Sequence, residues 1–273
     1  MIKSKGNCLT TVFESTDARG QYRPLLQTLL ELSADVCRAL REHPRDDVPK
    51  KFILAFATKA TQTLRAIILL YENDLPQEAQ SLIRVAFELH VTFKAFLVLL
   101  RADPRRACEQ VRDSIMLEKV KQQRAVKFKG LDLISGAPSR EDLEEIERKI
   151  ASRYSKSEFK NIRKHGFSGM SVEERSRGTG CTDIYDIVYR NFSRNVHSTD
   201  LTELLLVNQP SLLEERETDY FDSRDAVGCD VALVSAAAIA DAVNALFSLG
   251  FDDRFRDLMG QRVRVKAIRR NEA

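Results

Sequence analysis

Apolar residues recur three and four positions apart along most of this chain, the period of an α-helix with one buried face. From about Tyr22 to His43 the stripe is Leu25, Leu26, Leu29, Leu32, Val36 and Leu40. Pro44 ends it, because proline lacks the N–H and its ring clashes with the preceding turn. Pro49 suits the first turn of a second helix, with Asp46 and Asp47 upstream as capping candidates. Phe52, Phe56, Leu64, Ile67, Ile68 and Tyr71 carry its stripe to about Asn73. A third helix, from Pro76 to about Arg101, is apolar nearly all round, which predicts a central, buried position. Asp103-Pro104 starts a fourth helix, to about Phe128, and Ser139 caps a charged fifth, to about Tyr154.

Residues 155–180 hold Gly166, Gly169, Gly178 and Gly180 among many charges, and read as a mobile loop. Thr182 caps a sixth helix to about Ser198, and a connector containing Pro210 spans roughly 199–223. The last long helix runs from about Asp225 to Leu249 with Gly250 at its C-terminus, and a short helix and a basic tail follow. Long helices with short breaks predict an all-α fold, an antiparallel bundle of about six to eight helices. The expected organisation is a lead-in over 1–20, one helical bundle domain over 21–260 and a basic tail over 261–273.

Composition narrows the class further. Glycine is scarce, at 11 residues, and few turn pairs occur, which argues against a many-turned β sandwich. The most apolar stretch, Val231 to Phe251, is interrupted by Asp241 and Asn244. No uninterrupted run within it reaches the ~20 apolar residues of a membrane span, so a core helix is expected and no membrane partner. Met1 to Gly20 lacks the apolar segment of a secretory leader. The five cysteines are odd in number and none forms a C-x-x-C pair, which fits a reducing, cytoplasmic setting. No zinc spacing, P-loop or nucleophile elbow is present, and no metal or cofactor is expected.

Three constellations are candidates for chemistry. On the sixth helix, Arg190 and His197 are two turns apart and point within about 20° of each other at ~100° per residue, with Asp186, Ser193 and Arg194 beside them. A histidine near neutrality moves a 2′-hydroxyl proton, and a guanidinium holds a phosphate without metal. The alternative is a solvated polar face with an Asp186–Arg190 pair. On the third helix, Arg84 and Glu88 share a face in the order that supports a helix less well, and charges on a buried helix must be paired or serve a site. The functional reading places them beside the Arg190–His197 row; the alternative is a structural ion pair. Basic runs (Lys119, Lys121, Arg124, Lys127, Lys129; Arg262, Arg264, Lys266, Arg269, Arg270) attract phosphates or are simply solvated surface, as do Lys160, Arg163, Lys164 and His165 in the expected loop. His43 and His90 read as a helix end and a core residue.

Arg190-Asn191 followed by His197, with six residues between the arginine and the histidine, resembles the signature of HEPN (higher eukaryotes and prokaryotes nucleotide-binding) domains. The resemblance implies a helical bundle that cleaves or binds RNA without metal, works as a homodimer and serves a toxin–antitoxin or phage-defence system. On that reading His197 is the general acid or base, Arg190 contacts the scissile phosphate, Ser193 and Arg194 place it, and Arg84 and Glu88 stand behind them. The implied partners are RNA and an antitoxin or other protein. Ala79-Gln-Ser-Leu82-Ile-Arg84-Val-Ala-Phe-Glu88 and Tyr189-Arg190-Asn-Phe-Ser193-Arg-Asn-Val-His197 resemble, over most of the chain, an uncharacterised family of helical bacterial proteins that brings no established activity. The rival function is a non-catalytic scaffold or adaptor whose polar row binds a partner.

Overall fold

Every regular element among the described residues is a helix, as the three- and four-residue spacing requires. The computed structural model describes residues 18–128, 139–196 and 215–272. The lead-in up to residue 17, the loop with Gly136 and Pro138, His197 and the 199–214 stretch with Pro210 lie outside them. The helices are α1 (Ala18–Glu42), α2 (Val48–Glu72), α3 (Pro76–Ala102), α4 (Pro104–Phe128) and α5 (Arg140–Ala151). They continue with α6 (Lys156–His165), α7 (Val172–Gly178), α8 (Thr182–Val196), α9 (Glu215–Phe247) and α10 (Asp252–Glu272).

The stretch expected to be a loop, 155–180, instead holds α6 and α7. Each is opened by a capping box. The Ser155 hydroxyl accepts from the Glu158 N–H and the Glu158 carboxylate accepts from the Ser155 N–H; Ser171 and Glu174 repeat the pattern. These reciprocal bonds satisfy orphan donors at the helix starts. They also hold the Glu158 and Glu174 carboxyls below the usual glutamate range. The glycines sit at the ends rather than within: Gly166 is the C-cap of α6 at φ 83°, a left-handed conformation that favours glycine. Two other boundaries move. Residues 215–223, expected in a connector, open α9, and the basic C-terminal stretch belongs to α10.

The chain divides into two compact units. One takes in Ile53–His90 and Asp183 onward together with α1; the other takes in Asp47–Phe52 and Val91–Thr182. In the second unit, Leu117, Ile150 and Ile162 form a core with Ile146, Tyr154 and Phe159 packed on it. Buried Asp113 accepts from Arg153 Nη1 at 2.6 Å and from the Tyr154 hydroxyl at 2.9 Å. Buried Arg175 donates to the carbonyls of His165 and Met170, which ties the turn between α6 and α7 to α7.

In the first unit the apolar stripe of α1 meets α9. Leu29, Leu32, Val36 and Leu40 are fully buried, as are Ala232, Leu233 and Val243. Two helices, α2 and the Asp222–Phe247 part of α9, are long and apolar enough to cross a membrane by length and composition, against the expectation from Asp241 and Asn244. In the latter, 67% of the apolar window is buried inside the fold, as in a core helix. All-round apolarity overstated the burial of α3, since Val85 and Val98 are exposed.

Gly228 of α9 marks the tightest convergence. A Cβ there would lie 3.0 Å from Ile83 Cδ1, 3.2 Å from the Tyr71 hydroxyl and 3.5 Å from Phe192 Cζ, so α2, α3 and α8 all approach one bare backbone position. At an open helical site, glycine to alanine stabilises by up to ~1 kcal/mol; here overpacking costs ~1–3 kcal/mol. Gly260 of α10 has nothing within 4 Å of such a Cβ. Urea unfolding is therefore expected to show Gly228→Ala less stable than the parent, by about 1–2 kcal/mol, and Gly260→Ala slightly more stable. A stabilised Gly228→Ala protein would contradict this packing.

Candidate functional site

The site is built on two helices of the first unit. Along α8 the apolar positions fall on one seam: Val188 and Phe192 are fully buried, and Phe192 is the ring that closes on Gly228. Asp183 in the first turn suits the positive end of the helix. Along α3, Ile83 and Phe87 are fully buried, and Arg84 and Glu88 follow them on the adjoining face.

Glu88 joins the two helices. Its Oε1 accepts from Arg84 Nε at 2.9 Å and from the Tyr189 hydroxyl at 2.6 Å. The Arg84 guanidinium lies over the Tyr189 ring, 4.4 Å from its centroid, and Tyr185 stacks on Tyr189 at 4.4 Å with 29° between the planes. The Arg84 and Glu88 side chains are 22% and 33% exposed, so this is a half-buried cluster rather than a sealed ion pair.

Magnitudes decide what the cluster does. An i,i+4 pair on one helix contributes ~0.3–0.5 kcal/mol. A hydrogen bond to a charged group contributes ~1.5–3 kcal/mol, and a cation–π contact ~0.5–1 kcal/mol. The larger contributions are the ones that reach α8, so Arg84 and Glu88 act chiefly to seat Tyr189. Burial, and then the Glu88 carboxylate, push the Tyr189 phenol well above its ordinary 10.0, so it remains a donor at neutral pH. Burial is the largest single influence on Arg84 and works against its charge, but the bond to Glu88 and the contacts with Tyr189 together outweigh it, and its affinity for its proton rises.

The backbone of α8 runs through residues 190, 193 and 194, and at 100° per residue position 190 is opposite the seam of Val188 and Phe192. The side chains of Arg190, Ser193 and Arg194, and the whole of His197, lie outside the described residues. Of the predicted site residues, Arg84 and Glu88 are thus brought together with the residue immediately before Arg190. No cluster of metal-ligating side chains occurs among the described residues.

The sequence singled out Tyr189 only as the first residue of the segment that ends at His197, without its partner. Its fourfold spacing from Tyr185 was the available signal for an aromatic ridge. Two further polar clusters of this unit were missed. Buried Asp225 takes Arg19 Nε at 2.8 Å and Gln80 Nε2 at 3.2 Å. Asp230 takes Arg262 and Lys266. Several of the basic candidates are ion-paired: in the second unit Arg124 and Arg163 both meet Glu147, and in the first Arg262 and Lys266 share Asp230.

Residues 50–210 match a family described only as a family of unknown function, DUF5677. That range contains Arg84, Glu88, Tyr189, Arg190, Ser193, Arg194 and His197. No curated protein and no solved structure matches the chain.

Removing the Tyr189 hydroxyl isolates the cross-helix bond. Tyr189→Phe is expected to lower stability at pH 7 by about 1–3 kcal/mol, and less in a Glu88→Gln background. The pH dependence carries a sign. A phenol whose folded pKa lies above its unfolded value gives stability that is whole below about pH 10 and is lost as pH rises through the folded value. Tyr189→Phe is therefore expected to flatten the alkaline fall in urea midpoint. An unchanged alkaline slope would contradict the assigned bond.

Proposed function

The chain belongs to DUF5677, a family of unknown function that assigns it no chemistry, and we propose from the site itself that it is an RNA-binding protein that cleaves RNA without a metal. One observation supports the reading: Tyr189 is held to Glu88 of α3 while Val188 and Phe192 are buried, and at 100° per residue position 190 falls opposite that seam. The Arg190-to-His197 spacing resembles the HEPN signature and adds support.

In the proposed reaction, the His197 imidazole takes the proton of a ribose 2′-hydroxyl, and that oxygen attacks the adjacent phosphorus. The 5′-oxygen leaves with a proton from an imidazolium, which a second copy of the chain supplies in a homodimer. The products are a 2′,3′-cyclic phosphate and a 5′-hydroxyl. Arg190 balances the charge that grows on the phosphate oxygens, and Ser193 and Arg194 place the phosphate. Arg84 and Glu88 act through Tyr189 as positioning residues.

A second reading, a non-catalytic adaptor, draws on the same cluster: one Glu88 oxygen already serves both Arg84 and Tyr189, as a purely structural carboxylate does.

Total RNA incubated with the purified chain in a chelator is expected to give fragments with 2′,3′-cyclic phosphate ends. His197→Ala and Arg190→Ala are each expected to slow cleavage by a factor of ~100 or more. RNA bound but never cut selects the adaptor, and equal cleavage by all three proteins rejects the assigned roles.

A further inference from the structure

On the flank of α8 opposite Tyr189, a groove of about 430 Å³ runs along α9 in the first unit. Its floor is apolar: Ile184 and Ile187 from α8, and Val227, Val231 and Val234 from α9. Ile187 and Val227 are 39% and 36% exposed, so this floor is open to water. The volume falls within the ~300–1,000 Å³ of small-molecule sites.

The rim is built differently. Asp230 is held by Arg262 through Nε at 2.6 Å and Nη2 at 2.8 Å, and by Lys266 Nζ at 2.7 Å, with the Tyr22 hydroxyl donating to it at 3.4 Å. Two cations share one carboxylate, and no other acid is among the described residues lining the groove. The rim therefore carries a surplus positive charge beside an apolar floor. Arg262 and Lys266 also have more N–H donors than Asp230 takes, since a guanidinium offers five and an ammonium three.

We propose that this groove binds a single-chain carboxylate amphiphile of medium acyl length, with its chain on Ile187, Val227 and Val234 and its carboxylate at Lys266 and Arg262. A polynucleotide gains nothing from five aliphatic side chains, and a neutral alkane gains nothing from the cationic rim. A monoanion with an apolar tail satisfies both. Apart from Ile184 and Ile187, the lining lies outside the residues matched to the family. The proposal uses neither Arg190 nor His197 and stands apart from the RNA reading.

Calorimetric titration of the full chain with decanoate, kept below its self-association concentration, tests this. One decanoate per chain is expected, binding roughly fourfold tighter for each methylene added from octanoate onward. Decyltrimethylammonium is expected to bind at least ~10-fold more weakly, since it meets the rim's charge with its own. Val227→Asp, at a half-exposed position, is expected to weaken decanoate at least ~10-fold, and Lys266→Ala several-fold. Leu69→Asp, at an exposed position of α2 outside the groove, is expected to bind as the parent does. No saturable binding of decanoate, equal binding of the cationic amphiphile, or equal binding by Val227→Asp and Leu69→Asp would each overturn the proposal. The ligand comparisons on the parent protein decide it even if a variant does not fold.

Discussion

One carboxylate oxygen, Glu88 Oε1, takes a hydrogen bond from Arg84 on its own helix and another from Tyr189 on α8. The functional reading of the first unit depends on that shared acceptor. A bond between neighbours on one helix fixes nothing beyond that helix, whereas the second bond sets how α8 is rotated against α3. Gly228 supplies the complementary constraint. With no side chain there, Phe192 reaches the α9 backbone beside Ile83 and Tyr71. A polar contact on one flank and an aromatic plug on the seam leave α8 a single azimuth.

The parts of this arrangement that were legible in the sequence are those written locally. Pro44, Pro76 and Pro104 delimit the first four helices because proline acts on its own turn, and Ser139 marks the fifth because its hydroxyl bonds within that turn. The same local code was present at Ser155-x-x-Glu158 and Ser171-x-x-Glu174, but the density of glycine and charge outweighed it, and two short helices were read as loop. The first of them also carries Phe159 and Ile162 three apart on one face, but a single apolar pair in so short and charged a stretch is a weaker signal than the caps.

What could not be read is non-local. Tyr189 and Glu88 are 101 residues apart, and Tyr22 and Asp230 are 208 apart, so no spacing rule connects them. The pairing of Asp230 with Arg262 and Lys266 likewise turned a run expected to be a solvated tail into one wall of a groove. The exposure of Val85 and Val98 shows the limit of all-round apolarity as a signal: it records how apolar a helix is, not how many neighbours it has. On one flank of α8 the first unit thus holds the Arg84–Glu88–Tyr189 cluster, and on the other an apolar groove with a cationic rim. The family match covers the cluster and leaves most of the groove outside it.

The most direct measurement is of the His197 imidazole itself, by proton–carbon NMR of the chain mixed with a short RNA oligonucleotide methylated at every 2′-oxygen, which keeps the RNA phosphates and sugars but offers no free hydroxyl to attack. The His197→Ala spectrum identifies its signal among the four histidines. This signal is expected to shift with saturation, its titration to move to higher pH beside the bound phosphates, and Arg190→Ala to abolish both effects. An imidazole indifferent to the oligonucleotide, or one that responds equally without Arg190, would contradict the assigned roles.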